Sequence, residues 1–251
     1  MNKSAKFQIL YSALGVALVF LLWLICFLIV SNEYLLPAPF AVLEKAGLLL
    51  FDIEFYTALL STLLRVLTAT VISLMVAISL ALLSVFFKAF ASILTPLTAC
   101  LRSLPTLAVL LLILTFTKKR SFAPVVVAII SLIPLAYTKI YEDLNRLDSN
   151  ISPIFKTFEV PTKKQVLVYL KGAVPSVIKE FFNLMSFALK LIVSGEILAN
   201  VYRSVGGNIQ QASIYSDTVL LTALTLFVCV LGIVLEVVGN LISAKLGDKY
   251  L

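Results

Sequence analysis

The feature that most constrains this chain is the recurrence of long apolar tracts with no charge in them. Residues 8–30 contain no Asp, Glu, Lys or Arg, residues 66–87 repeat the pattern, and residues 218–243 are broken only by Glu236. Tracts of more than about 18 apolar residues are long enough to cross a bilayer as helices. The composition agrees: 61% of the 251 residues are hydrophobic and 13% are charged, against about 45–50% and 25% in an ordinary soluble domain. A mean hydropathy of +1.08 leaves too little polar surface for a soluble globule. The chain reads as an all-α integral membrane protein.

Several chemistries are excluded at once. There is no His, so His-based triads, His-ligated zinc and His proton relays are absent. Cys26, Cys100 and Cys229 lie in apolar tracts and form no CxxC pair, so they read as inert buried thiols, and no metal site is expected. The basic balance, 20 Lys and Arg against 13 Asp and Glu, fits cytoplasmic loops and anionic lipid rather than nucleic acid. No glycine is followed by Lys, so GxxxxGK[ST] is missing and the chain cannot itself cradle nucleotide phosphates. No enzymatic constellation appears.

Six helices are expected over about 8–30, 58–87, 91–117, 121–141, 178–201 and 217–243. The first is too long for a signal-peptide core and reads as retained. Arg102 and Pro105 interrupt the third. The one long hydrophilic stretch, 142–176, reads as a polar cytoplasmic loop with a short amphipathic helix, a docking element for a cytoplasmic partner. With the N-terminus inside, ten loop Lys and Arg fall on the cytoplasmic side and five outside, which places both termini in the cytoplasm. The cluster Lys118-Lys119-Arg120 falls on the predicted outer side, against that trend.

Charges inside the spans mark the candidate path. Lys179, Asn183, Ser186, Lys190 and Ser194 fall within an arc of about 80° on the fifth helix. A Lys at the bilayer centre costs roughly 2.5–3.5 kcal/mol, so this face should look into the bundle or onto water, with Lys179 and Glu180 free to snorkel at the interface. For Lys190 a pathway role and a buried pair both stay open. Glu196 lies about 140° from Asn183 on an ideal helix, which predicts Lys190 facing the bundle interior and Glu196 turned away from it, neutralised by Arg102 or Arg65. Those two arginines otherwise line an anion route or pair with Glu236. Gly232, Glu236, Gly239 and Ser243 share one face of the last helix, as a helix-packing surface or as a partner for a basic residue.

Short motifs in chain order carry a resemblance. Leu36-Pro37-Ala38-Pro39-Phe40-Ala41-Val42-Leu43 looks like LPxPxxVL, Ser61-Thr62-Leu63-Leu64-Arg65-Val66 like SLxRV, and Leu101-Arg102-Ser103-Leu104-Pro105-Thr106-Leu107-Ala108 like RxLPxxA. Aligning Pro175 with the end of an EAA, three residues, Gly, nine residues, Ile-x-Leu-Pro motif puts Lys156-Thr157-Phe158 at EAA and Thr162 at the glycine. Glu159-Val160-Pro161-Thr162-Lys163-Lys164-Gln165, the Lys190 and Glu196 spacing and Ser204-Val205-Gly206 are similar to a Gram-positive-type subgroup. The chain thus resembles the permease subunits of binding-protein-dependent ABC importers, closest to the nitrate/sulfonate/taurine class.

That resemblance implies a single transmembrane permease domain over 1–251 with the type I importer fold, in a bacterial cytoplasmic membrane. It implies a homodimer, an extracytoplasmic solute-binding protein, and an ABC ATPase subunit that binds the ATP and Mg while this chain holds no cofactor. Residues 158–165 would contact the ATPase, with Phe158 and Val160 as apolar anchors and Glu159, Lys163 and Lys164 around them. An ion-gradient-driven secondary transporter is the alternative; it would normally show internal repeats or paired broken helices.

Overall fold

The computed structural model describes residues 3–117 and 119–250, and the regular structure among them is α-helical. In chain order the helices are α1 (Lys3–Val30), α2 (Pro39–Leu49), α3 (Ile53–Phe86), α4 (Lys88–Ser103), α5 (Thr106–Phe116), α6 (Ala123–Thr157), α7 (Thr162–Ala199), α8 (Val205–Ile214) and α9 (Thr218–Tyr250). Lys118, the first residue of the basic cluster, lies outside the described residues.

Four helices are each long and apolar enough to cross a bilayer: Ile53–Phe86, Ala123–Thr157, Thr162–Ala199 and Thr218–Lys245. The expected third span is different, because α4 and α5 meet at 85° and form a broken pair. Pro105 explains the break. A proline disfavours helical geometry in the residue before it, and Leu104 is accordingly extended at φ −67°, ψ 130°. The apolar part of α1, Ala17–Val30, is a shorter helix. The chain is therefore a multi-pass helical membrane protein; among the described residues it has four continuous candidate spans and one bent pair, where six helices were expected, the third interrupted at Arg102 and Pro105.

The polar stretch 142–176 is the main correction to the sequence reading. It is not a loop with a short helix. α6 runs on to Thr157 and α7 begins at Thr162, so the two long helices form a hairpin with its tip at 158–161. Pro153 and Pro175, which read as punctuation, lie within the helices. Residues 31–57 and 200–217 also contribute α2 and α8, which the span count did not include.

At the centre α3 packs along α6, and α7 packs against both α6 and α9. The α3 face that does this repeats every three or four residues: Ala58, Thr62, Val66, Ala69, Ser73, Ala77, Ala81 and Ser84 are all buried. Small side chains let two backbones approach where lipid offers no hydrophobic drive of its own. Hydroxyls stitch the seam, with Ser84 Oγ and Tyr137 OH 2.9 Å apart and Ser73 Oγ donating to the Ile129 carbonyl at 3.4 Å. At the hairpin end, the buried Tyr169 ring meets Phe86 and Phe155 edge-on, and its hydroxyl donates to Asp148 Oδ1 at 2.5 Å.

Three helices end in the same way. Val160, Val201 and Asp217 each donate N–H to the carbonyl five residues back (Phe155, Glu196 and Ala212), around a left-handed residue. That residue is Glu159, Asn200 or Ser216, at φ 45°, 48° and 57°. This is the αL cap in which glycine is usual, yet no described glycine has a positive φ. Glycines serve close packing instead. A Cβ on Gly239 of α9 would lie 2.4 Å from Phe182 Cβ of α7, whereas a Cβ on Gly47 of α2 would meet nothing within 4 Å.

The contrast predicts opposite outcomes. Gly239→Ala must push α9 off α7, and overpacking of this kind costs about 1–3 kcal/mol. Gly47→Ala should be neutral or stabilising by up to about 1 kcal/mol, through helix propensity alone. Thermal unfolding of the two purified variants in detergent checks this; equal melting temperatures would count against tight α7–α9 packing.

Candidate functional site: a buried carboxylate at one end, an exposed turn at the other

Two regions concentrate the polar chemistry, and they lie at opposite ends of the bundle. The first is built on Glu196, near the C-terminus of α7. Its side chain is 0% exposed, and three groups converge on it. Arg65 Nη1 of α3 donates to Oε1 at 2.7 Å. Thr62 Oγ1, one turn earlier on α3, lies 3.1 and 3.0 Å from the two carboxylate oxygens. The backbone N–H of Gly206, in the first turn of α8, donates to Oε2 at 3.1 Å.

The same cluster satisfies the start of α8. A helix leaves its first N–H groups without intrahelical partners. Here Val205 N–H donates to Thr62 Oγ1 at 3.0 Å, Gly206 N–H to Glu196, and Gly207 N–H to the Ser204 Oγ cap at 2.9 Å. A carboxylate at a helix N-terminus is also favoured by the helix dipole. Glycine is required because the backbones nearly touch: a Cβ on Gly206 would sit 2.5 Å from Glu196 Cβ, and one on Gly207 2.1 Å from the Val201 carbonyl oxygen. The network locks α3, α7 and α8 together.

This reverses part of the sequence expectation. Glu196 is in the core rather than turned from it, and Lys190, expected inside, is 62% exposed on the surface of this chain. The reason is the partner set: Arg65 and Thr62 draw Glu196 inward, while Lys190 reaches across to α9. Lys190 Nζ lies 3.9 Å from Glu236 Oε1, and Ser186 Oγ donates to that oxygen at 2.7 Å. Of the predicted stripe, Ser186 is buried, Asn183 half-buried, and Lys179 and Ser194 exposed, Ser194 bonding to the Lys190 carbonyl. Gly232 and Gly239 sit where α9 touches α7, with Ser186 Oγ 3.3 Å from a Cβ on Gly232, and Ser243 Oγ donates to the Pro175 carbonyl at 3.2 Å. Arg102 is exposed in the last turn of α4 and joins no ion pair among the described residues.

The second region is the hairpin tip. Phe158 closes α6 and is 74% exposed. Glu159 takes the left-handed position and is exposed. Val160, expected as a second free anchor, is half-buried against its own core, its N–H bonded to the Phe155 carbonyl at 3.0 Å. Pro161 caps α7, and Thr162, the motif-glycine position, is its first residue. The turn therefore needs no glycine at 162, because the left-handed step falls three residues earlier. Lys163 and Lys164 are exposed, and Gln165 Nε2 donates to the Val160 carbonyl at 2.7 Å, bracing the tip.

Thr62 and Gly206 are the functional neighbours that sequence reasoning missed. The signal was present: Thr62 and Arg65 lie three apart on one helical face, and an acid inside an apolar helix needs partners of this kind.

Breaking the network should be costly and non-additive. Arg65→Met leaves a buried carboxylate unpaired, a loss of about 3–5 kcal/mol. Combining it with Glu196→Met should recover part of that loss, because no charge remains buried. Unfolding midpoints of the two single variants and the double variant measure the coupling; strictly additive values would show that Arg65 and Glu196 do not act as a pair.

No curated protein matches this sequence. Residues 69–248, more than two-thirds of the chain, match the family described as "Binding-protein-dependent transport system inner membrane component". The match begins within α3, after Thr62 and Arg65, and covers the α4–α5 break, the hairpin, Glu196 with the start of α8, and most of α9. With its apolar spans and its hairpin, the chain belongs to this family of binding-protein-dependent transport system inner membrane components.

Proposed function

We propose that this chain is the permease subunit of an ATP-driven importer of the type I class, and that the hairpin tip is where it takes up the work of a separate ATPase. The observation that carries this reading is Phe158, an aromatic side chain 74% exposed on a tip held in place from beneath. Lys163 and Lys164 stand beside it. Large exposed apolar side chains on rigid supports are what protein interfaces use as anchors. The absence of a P-loop motif from the sequence requires the nucleotide to be bound elsewhere.

In this reading α1, the bent α4–α5 pair and the four long helices make six passes. Both termini and the hairpin face the cytoplasm, and α2 and α8 lie outside, where a binding protein delivers its solute. Two copies pack as a homodimer. Lys190 and Glu236, 62% and 48% exposed within the spans, support that arrangement, because a charged pair is costly against lipid and calls for a protein or water neighbour. The solute class is small: nitrate, a sulfonate such as taurine, or a vitamin precursor. An ion-gradient mechanism would favour paired broken helices; among the described helices one pair breaks.

Phe158→Ala should release the ATPase or uncouple hydrolysis from uptake, since loss of a buried aromatic anchor costs about 2 kcal/mol or more. Lys163→Ala should do less, as an exposed pair contributes about 0–1 kcal/mol. Co-purification and ATP-driven uptake in proteoliposomes are the measurements. Normal uptake with the ATPase fully bound to Phe158→Ala would move the docking role elsewhere. A cysteine at 163 should label only from the cytoplasmic side; labelling from outside in intact cells would overturn the orientation.

A further inference from the structure

A cavity lies at the opposite end from the hairpin, between the start of α3, the end of α7 and the start of α8. It encloses about 700 Å³, within the roughly 300–1,000 Å³ range of small-molecule sites. Its lining includes Glu54, Asn200, Tyr202, Arg203, Asn208 and Gln211.

The bonding state of these side chains is what makes the cup notable. Among the described residues, the side chains of Glu54, Asn200, Asn208 and Gln211 make no hydrogen bond to protein; Glu54, Asn200 and Gln211 are exposed and Asn208 half-buried, so their polar atoms are free for solvent or a ligand. Glu54 and Arg203 carry opposite charges in the same cup without forming an ion pair; among the described residues the pairs are Arg65–Glu196, Lys139–Glu142 and Lys190–Glu236. Arg203 instead lies over the Tyr202 ring, 5.4 Å from its centroid. The loop that presents them is held in an uncommon conformation, with both Asn200 and Arg203 left-handed at φ 48° and 51°.

We propose that this cup binds a small zwitterionic solute, with Glu54 receiving its ammonium group, Arg203 its anionic group and the three amides its remaining polar atoms. A guanidinium and a carboxylate that line one cup without pairing match a ligand carrying both charges. A simple anion would leave Glu54 repelling it, and a simple cation would meet Arg203. The cup deepens the permease reading, on which it rests for the idea that the solute arrives from this side. Backed by the rigid Thr62–Glu196–α8 unit, it forms a landing site ahead of the membrane-crossing path.

The test uses the purified complex with its ATPase, without the binding protein. Taurine, glycine betaine and γ-aminobutyrate are the zwitterionic probes, and ethanesulfonate and ethanolamine are the singly charged controls. At least one zwitterion should raise the melting temperature, with an apparent Kd at least tenfold below that of either control. Glu54→Gln and Arg203→Gln should each weaken that binding at least tenfold while leaving the unliganded melting temperature and helical content unchanged. A response to none of the zwitterions, equal binding of ethanesulfonate, or binding that survives both substitutions would overturn the proposal. ATP-driven uptake with the binding protein present is scored separately. Its absence would sink the importer reading, whereas uptake without any binding at the cup would sink the cup alone.

Discussion

The structure depends most on one buried carboxylate. Glu196 has no water and no lipid alternative, so its charge is tolerable only while Arg65, Thr62 and the Gly206 N–H all reach it. Each of those groups belongs to a different part of the chain from Glu196 itself. Satisfying the carboxylate therefore fixes three things together: the height of α3 against α7, the position of the first turn of α8, and the shape of the cup beyond. Apolar packing could hold these helices at several registers; three hydrogen-bonding groups aimed at one carboxylate select one.

Two acids of α7 and α9, Glu196 and Glu236, divide the labour. Glu196 is sealed inside and structural, while Glu236 with Lys190 is left half open on the α7–α9 face. Glycines follow the same logic of contact rather than of turning. Gly206, Gly207 and Gly239 stand where a methyl group would collide with a neighbouring element, while the left-handed helix ends are given to Glu159, Asn200 and Ser216.

Much of this was legible in the residues. The apolar tracts announced the spans, Arg65 was a named partner for Glu196, and the Gly232, Glu236, Gly239 and Ser243 face of α9 does meet α7. What misled was the assumption that polar sequence ends a helix. Residues 142–176 stay helical because their apolar positions, Leu144, Phe155, Tyr169 and Ala173, still pack into the core while the polar ones face out. The facing of Lys190 and Glu196 also misread, since helical angle alone orders residues around an axis without saying which side is inside. That choice was made by Arg65, which is distant in sequence and close in space. The cup was not legible, because its walls come from three segments that meet only in the fold.

One geometric feature carries a mechanical consequence. α3 is a single unbroken helix of 34 residues, touching the hairpin through Phe86 and Tyr169 at one end and holding Glu196 through Arg65 nearer the other. Those two fastenings are about 30 Å apart at 1.5 Å per residue. A rod of that length is a lever: a tilt of about 5° at the hairpin end displaces the far fastening by roughly 3 Å, about the length of a hydrogen bond. Movement at the tip too small to disturb any aromatic contact around Tyr169 is therefore large enough, at the other end, to decide whether the Arg65–Glu196 bond holds.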